Sequence, residues 1–219
     1  MNIVVIGGGG STGKFGRDFC DRARNEGHSV YVISHKDYST GDAKQISADF
    51  TDPASVVNAF NTVIRGVDHL DIMLYNSSAG GYPIQAVDYK STSTVSIQQH
   101  YLNYNLYVLY PHLLSIESLK KMDVSSKIIF LTTGLTTSWM WEDESKDFNR
   151  LAGYIGGKSF QNHFMIGLAT HNDKGVTVTS LSPHFDYQNI DSYNRSLTLT
   201  YNRIMNILPR DNGRLRPVN

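Results

Sequence analysis

Short apolar runs alternate along this chain with longer stretches whose apolar positions recur every three or four residues. Residues 3–6 (Ile-Val-Val-Ile) are β-branched and uninterrupted, the pattern of a strand covered on both faces of a parallel sheet. Phe15, Phe19 and Ala23 then fall four apart and predict a helix over 14–26 that Gly27 ends. Strands are predicted at 30–33 and 46–50. Asp52-Pro53 reads as an N-cap and a first-turn proline, opening a helix with Val56, Val57, Phe60, Val63 and Ile64 on its apolar face. A strand follows at 70–75. A long helical stretch covers 95–122, in which Pro111 predicts a kink or interruption. The pattern continues with a strand at 127–131, a helix at 151–171, a strand at 176–181, a helix over about 192–208 and a short closing strand at 213–218.

Strands that alternate with helices throughout imply parallel βαβ units. The expected fold class is therefore α/β: a doubly wound, Rossmann-type parallel sheet of about six to seven strands with helices on both faces. There is no internal repeat, low-complexity tract or linker, so 1–219 is read as a single domain.

Composition narrows the partners. Apolar residues are 40% and charged residues 18%, the balance of a folded globular chain. Lys plus Arg and Asp plus Glu number 20 each, so no bulk field draws the chain to nucleic acid or an anionic membrane. No apolar run reaches membrane-spanning length, and residues 3–6 are too short for a signal-peptide core. A single cysteine, Cys20, excludes an internal disulfide and suits a reducing, cytoplasmic setting. No metal site is expected.

The chemistry begins at Gly7-Gly8-Gly9-Gly10-Ser11-Thr12-Gly13-Lys14-Phe15-Gly16, between a strand and a helix. Glycines let backbone N–H groups approach phosphate oxygens closely, and the helix that follows turns its positive end to the same anion. Glycines at 7, 10 and 13 give one register, and those at 9, 13 and 16 a second, looser one. With Ser11 and Thr12, the loop is read as the diphosphate site of a nicotinamide dinucleotide. Gly8 to Lys14 also fits the start of a mononucleotide P-loop. That motif next needs a Ser or Thr for magnesium, and Phe15 stands there instead. After the second strand come Ser34, His35 and Lys36, where an NAD-selective domain usually carries an acid. A hydroxyl and cations suit a 2′-phosphate, so NADP(H) is favoured over NAD(H), with Asp37 the residue opposing it.

Tyr154-Ile155-Gly156-Gly157-Lys158 supplies a tyrosine and a lysine four apart, hence on one helix face. A nearby ammonium lowers a phenol's pKa from its usual value near ~10 and readies it for proton exchange. With the glycine loop, this pair resembles the short-chain dehydrogenase/reductase family over nearly the whole chain. The resemblance implies that Asp49, with Phe50 beside it, contacts adenine. It matches Asn76-Ser77-Ser78-Ala79-Gly80 to the family's Asn-Asn-Ala-Gly, with one extra residue. It matches Asn105 to the family's helix asparagine, which positions a water on Lys158. The strand ending in the catalytic serine aligns with 128–133, leaving Thr133 at that position and Ser138 as a nearby substitute. Ser182-Pro183-His184 matches the Pro-Gly after the sixth strand, His184 replacing Gly.

What the resemblance implies is carbonyl–alcohol interconversion on a small molecule. Tyr154 is the acid/base, Lys158 its electrostatic partner, and Thr133 or Ser138 the holder of the reacting oxygen. A catalytically impaired dinucleotide-binding or sensor protein is the alternative. Family members commonly form dimers or tetramers through the helices predicted at 95–122 and 151–171, so a homo-oligomer is expected. Residues 80–93, 136–150 and 184–192 would line the pocket and carry no readable motif.

Overall fold

The computed structural model describes residues 1–7, 14–35, 44–77, 94–132, 148–183 and 189–218, giving backbone alone at 14, 94–97, 99 and 148–154. The strands are β1 (Asn2–Ile6), β2 (Ser29–Ser34), β3 (Lys44–Ser47), β4 (Ile72–Tyr75), β5 (Lys127–Leu131), β6 (Thr177–Pro183) and β7 (Leu215–Val218). They form one sheet in the order β3-β2-β1-β4-β5-β6-β7. Every pairing is parallel, in registers such as Val4 opposite Tyr31 and Met73. Chain order reverses on either side of β1. The crevice beyond the carboxyl ends of β1 and β4 is thus the topological switch point of an open α/β sheet.

The helices are α1 (Lys14–Asn25), α2 (Pro53–Arg65), α3 (Thr94–Tyr104), α4 (Tyr110–Leu119), α5 (Phe148–His171) and α6 (Ile190–Met205). Phe15, Phe19 and Ala23 of α1 join Tyr201 and Ile204 of α6 over Ile3, Val5, Val32 and Leu74. On the opposite face Val56, Phe60 and Val63 of α2, Leu114 of α4 and Met165 of α5 cover Val4, Ile6, Met73 and Phe130. Residues 3–6 are therefore buried from both sides, which is why they show no polar alternation. Each such side chain contributes ~1.5–3 kcal/mol on burial.

Local signals act as expected at two helix ends. Asp52 caps α2 by accepting from the backbone N–H groups of Ala54 and Ser55. Gly27 closes α1 at φ +84°, with its own N–H bonded to Arg24 O and that of His28 to Ala23 O.

Other boundaries move for physical reasons. β3 ends at Ser47, not at residue 50, because Asp49 Oδ1 accepts from both the N–H and the hydroxyl of Thr51 and turns the chain. On α2, Ala59 is buried in place of Val57. β4 begins at Ile72, since the N–H of Leu70 goes to Lys121 O instead of the ladder. β6 runs on to Pro183, and α6 starts at Ile190 beneath the Asn189 cap and ends at Met205.

The expected helix over 95–122 divides into α3, a π turn (Asn105–Leu109) and α4. The break precedes Pro111 instead of falling on it. The N–H of Tyr110 reaches back five residues to Asn105 O. Pro111 has no N–H, and its ring excludes the carbonyl four residues earlier, so one extra residue is taken up just upstream.

Candidate active site

Parallel strands place all their carboxyl ends at one edge of the sheet, and the predicted residues that the structure describes cluster there or beside it. Gly7 follows β1 at φ +75°, with its N–H bonded to Ile33 O at 2.8 Å. A Cβ at Gly7 would stand 2.6 Å from Ser77 Cα. Backbone therefore meets backbone between the ends of β1 and β4, and positive φ adds a second reason for glycine. Asn76 continues the ladder by donating its N–H to Ile6 O. Pro183 ends β6 opposite Val218.

Lys158 comes to this edge from α5. It is a 2% exposed lysine whose Nζ donates to Leu131 O at 2.7 Å, Gln161 Oε1 at 3.1 Å and Ser77 O at 3.4 Å. The ammonium also lies 5.1 Å from the centroid of the Tyr107 ring. Burial pulls its pKa down to about 7. The three carbonyl oxygens and the ring face work the other way, favouring the charged form.

Helix α5 can approach this closely because of Gly157. A Cβ there would meet Tyr107 ring atoms at 2.5–2.6 Å. Tyr107 belongs to the π turn that Asn105 opens, so the turn and α5 pack directly on each other. Asn105 is half-buried two residues from the ring that touches Lys158, and its carbonyl is held by Tyr110 N–H. Behind the site the Tyr75 hydroxyl donates to Leu106 O at 2.5 Å. Burial first, then the neighbouring Tyr107, pushes the Tyr75 phenol well above its ordinary value, so it stays protonated.

At the other end of the crevice, Ser34 is buried and its hydroxyl accepts from Gln45 Nε2 at 3.3 Å. His35 follows, half-buried. Asp49 is exposed. Hydrogen bonds from the Thr51 side chain and backbone, with a smaller contribution from His35, hold its carboxyl below the usual range. The Phe50 ring is in the core, edge-on to Tyr110 at 6.0 Å, and its backbone carbonyl accepts from the Tyr110 hydroxyl. Phe15 is 1% exposed and packs on Phe19, so at the position where a P-loop holds magnesium there is a core ring.

Gly10, Ser11, Thr12, Gly13, Lys36, Thr133, Ser138 and His184 lie outside the described residues, as does the side chain of Tyr154. Three side chains at the site carry no sequence expectation. Tyr107 gives no sign in the sequence. Gln161 does, falling three residues after Lys158 and so on the same helix face. Thr132 is buried just after β5 with no partner for its hydroxyl among the described residues.

No protein-family model matches the chain, and no curated protein sequence does. Solved structures match in fold. A short-chain dehydrogenase/reductase from Serratia marcescens is 18% identical, with 99% of this chain and 95% of that one covered and a TM-score of 0.73. A short-chain dehydrogenase from Burkholderia cenocepacia, solved in complex with NADP, is 17% identical over 99% and 95% of the two chains, with a TM-score of 0.76. An oxidoreductase of the short-chain dehydrogenase/reductase family from Brucella ovis, solved with a partially ordered NAD, is 14% identical over 100% and 99%, with a TM-score of 0.73.

Proposed function

We propose, for a chain built on the short-chain dehydrogenase/reductase fold, that it is an oxidoreductase interconverting a carbonyl and an alcohol on a small molecule, with NADP(H) preferred to NAD(H). The observation that carries this reading is the burial of Lys158 at the carboxyl ends of β4 and β5, on the helix that also carries Tyr154.

The chain's own residues suit a dinucleotide. Gly7 lets the ends of β1 and β4 meet backbone to backbone at the switch point where such ligands bind. Gly10, Ser11, Thr12 and Gly13 would hold the diphosphate with backbone N–H groups and the amino end of α1. Asn76, Ser77 and Pro183 would flank the nicotinamide half, and Asp49 and Phe50 the adenine. Ser34, His35 and Lys36 would take a 2′-phosphate; the Ser34 hydroxyl accepts from Gln45, and a hydroxyl that accepts can also donate. The dinucleotide, when bound, supplies or accepts the hydride.

Tyr154 would exchange the proton with the reacting oxygen as general acid or base. Lys158 would stabilise the phenolate from one turn away, and Thr133 or Ser138 would hold the same oxygen by a hydrogen bond. Asn105 would position a water on Lys158. Reduction of aldehydes and ketones with NADPH, together with Tyr154→Phe, tests the reading. The substitution is expected to remove turnover, on the order of 10²–10⁴-fold, and to spare NADPH binding. Full activity in the variant would sink the catalytic assignment. NADPH binding without turnover in the wild type would favour a sensor, and NADH binding at least about tenfold tighter would reverse the cofactor preference.

A further inference from the structure

An ammonium has three N–H donors, and Lys158 faces three acceptors. Two are backbone carbonyls fixed by the sheet, Leu131 O at the end of β5 and Ser77 O just past β4. The third is the side-chain oxygen of Gln161. Gln161 is fully buried, and its Nε2 has no partner among the described residues. Packing does not call for an amide here: a methionine fills nearly the same volume without burying an unpaired donor, which is costly. The amide is explained by what its oxygen does.

We propose that Gln161 is a positioning residue for Lys158, a neutral acceptor that holds one of the ammonium's N–H groups while leaving the lysine free to change protonation state. A carboxylate in its place would pin the lysine in the charged form, and an apolar side chain would leave one N–H unpaired and favour the neutral form. The surroundings suit this role. Lys158 meets backbone carbonyls at the end of β5 and just past β4, the Tyr107 ring from the π turn and the Gln161 amide from its own helix. Among the described residues Tyr107 is the titratable side chain against Lys158, and burial accounts for the lowered pKa of the lysine. The inference rests on the reductase reading for the use made of that proton, but the Gln161–Lys158 contact can be tested without turnover.

The test is lysine ¹³Cε and ¹⁵Nζ NMR on the full chain without cofactor, with Lys158→Met assigning the signal. Gln161→Glu is expected to raise the Lys158 pKa by roughly one unit or more, and Gln161→Met to lower it. Equal Lys158 titration in wild type and both folded variants would overturn the proposal and leave Gln161 a packing residue. If neither variant folds, the wild type decides. The Gln161 side-chain amide signals must move in step with Lys158 as pH changes, and a flat Gln161 profile overturns the proposal. Failure of the reductase reading would show instead in the Tyr154→Phe assay, with these titrations unaffected.

Discussion

A side chain as small as hydrogen decides how near the lysine-bearing helix can come to the sheet edge. Gly157 has the Tyr107 ring where its Cβ would be, at 2.5–2.6 Å, and that same ring lies beneath Lys158. Neither partner yields easily, because the ring is fully buried and the helix backbone is continuous. Gly157→Ala gains helix propensity of about 1 kcal/mol, yet overpacking costs ~1–3 kcal/mol, and the clash should win. Urea denaturation is expected to show net destabilisation, and a more stable variant would mean that α5 can shift. Gly156, with nothing within 4 Å of its Cβ position, is the matched control: an alanine there should stabilise. The sequence shows both glycines alike; which one is a contact depends on a residue fifty positions away.

Helix ends and helix interiors differ in how much of their structure is local. Asp52-Pro53 contains its own capping chemistry, and the cap forms as those two residues predict. Asp52→Ala should cost about 1 kcal/mol in thermal or urea unfolding and leave NADPH affinity unchanged. Loss of affinity would show that α2 supports the site more directly. The Asn105–Leu109 turn is the contrasting case. Pro111 announces a disturbance, but not that it takes the form of a π turn opening six residues earlier and packed against α5. The same limit applies to β3, where apolar residues suggest a strand to residue 50 but an Asx turn at Asp49 ends it sooner.

At the far edge of the sheet, Asp211 ties separate parts of the chain together. Its carboxylate is 3.1 Å from both Arg203 of α6 and Arg216 of β7, and it accepts from Leu208 N–H. Burial raises its pKa, but the Leu208 bond and the arginines Arg203, Arg216 and Arg210 outweigh burial, so the carboxyl is held below its usual range. A depressed carboxylate contributes stability above its unfolded pKa, near ~3.9, and loses it as pH falls through the folded value. Asp211→Asn should therefore be destabilising at neutral pH and flatten the acid limb of the stability profile. An unchanged limb would show that the two arginines find other partners. The order of elements, the doubly wound sheet, the buried first strand and the pairing of Tyr154 with Lys158 on one helix were all legible in the residues. They depend on local periodicity, backbone freedom and helical spacing, which act over a few positions. The burial of Lys158, its pKa near 7, its Gln161 and Tyr107 neighbours and the closeness of Gly7 to Ser77 were not, because each requires segments far apart in the chain to be brought to one sheet edge. Desolvation, the force that sets the lysine's chemistry, exists only once those segments have excluded water around it.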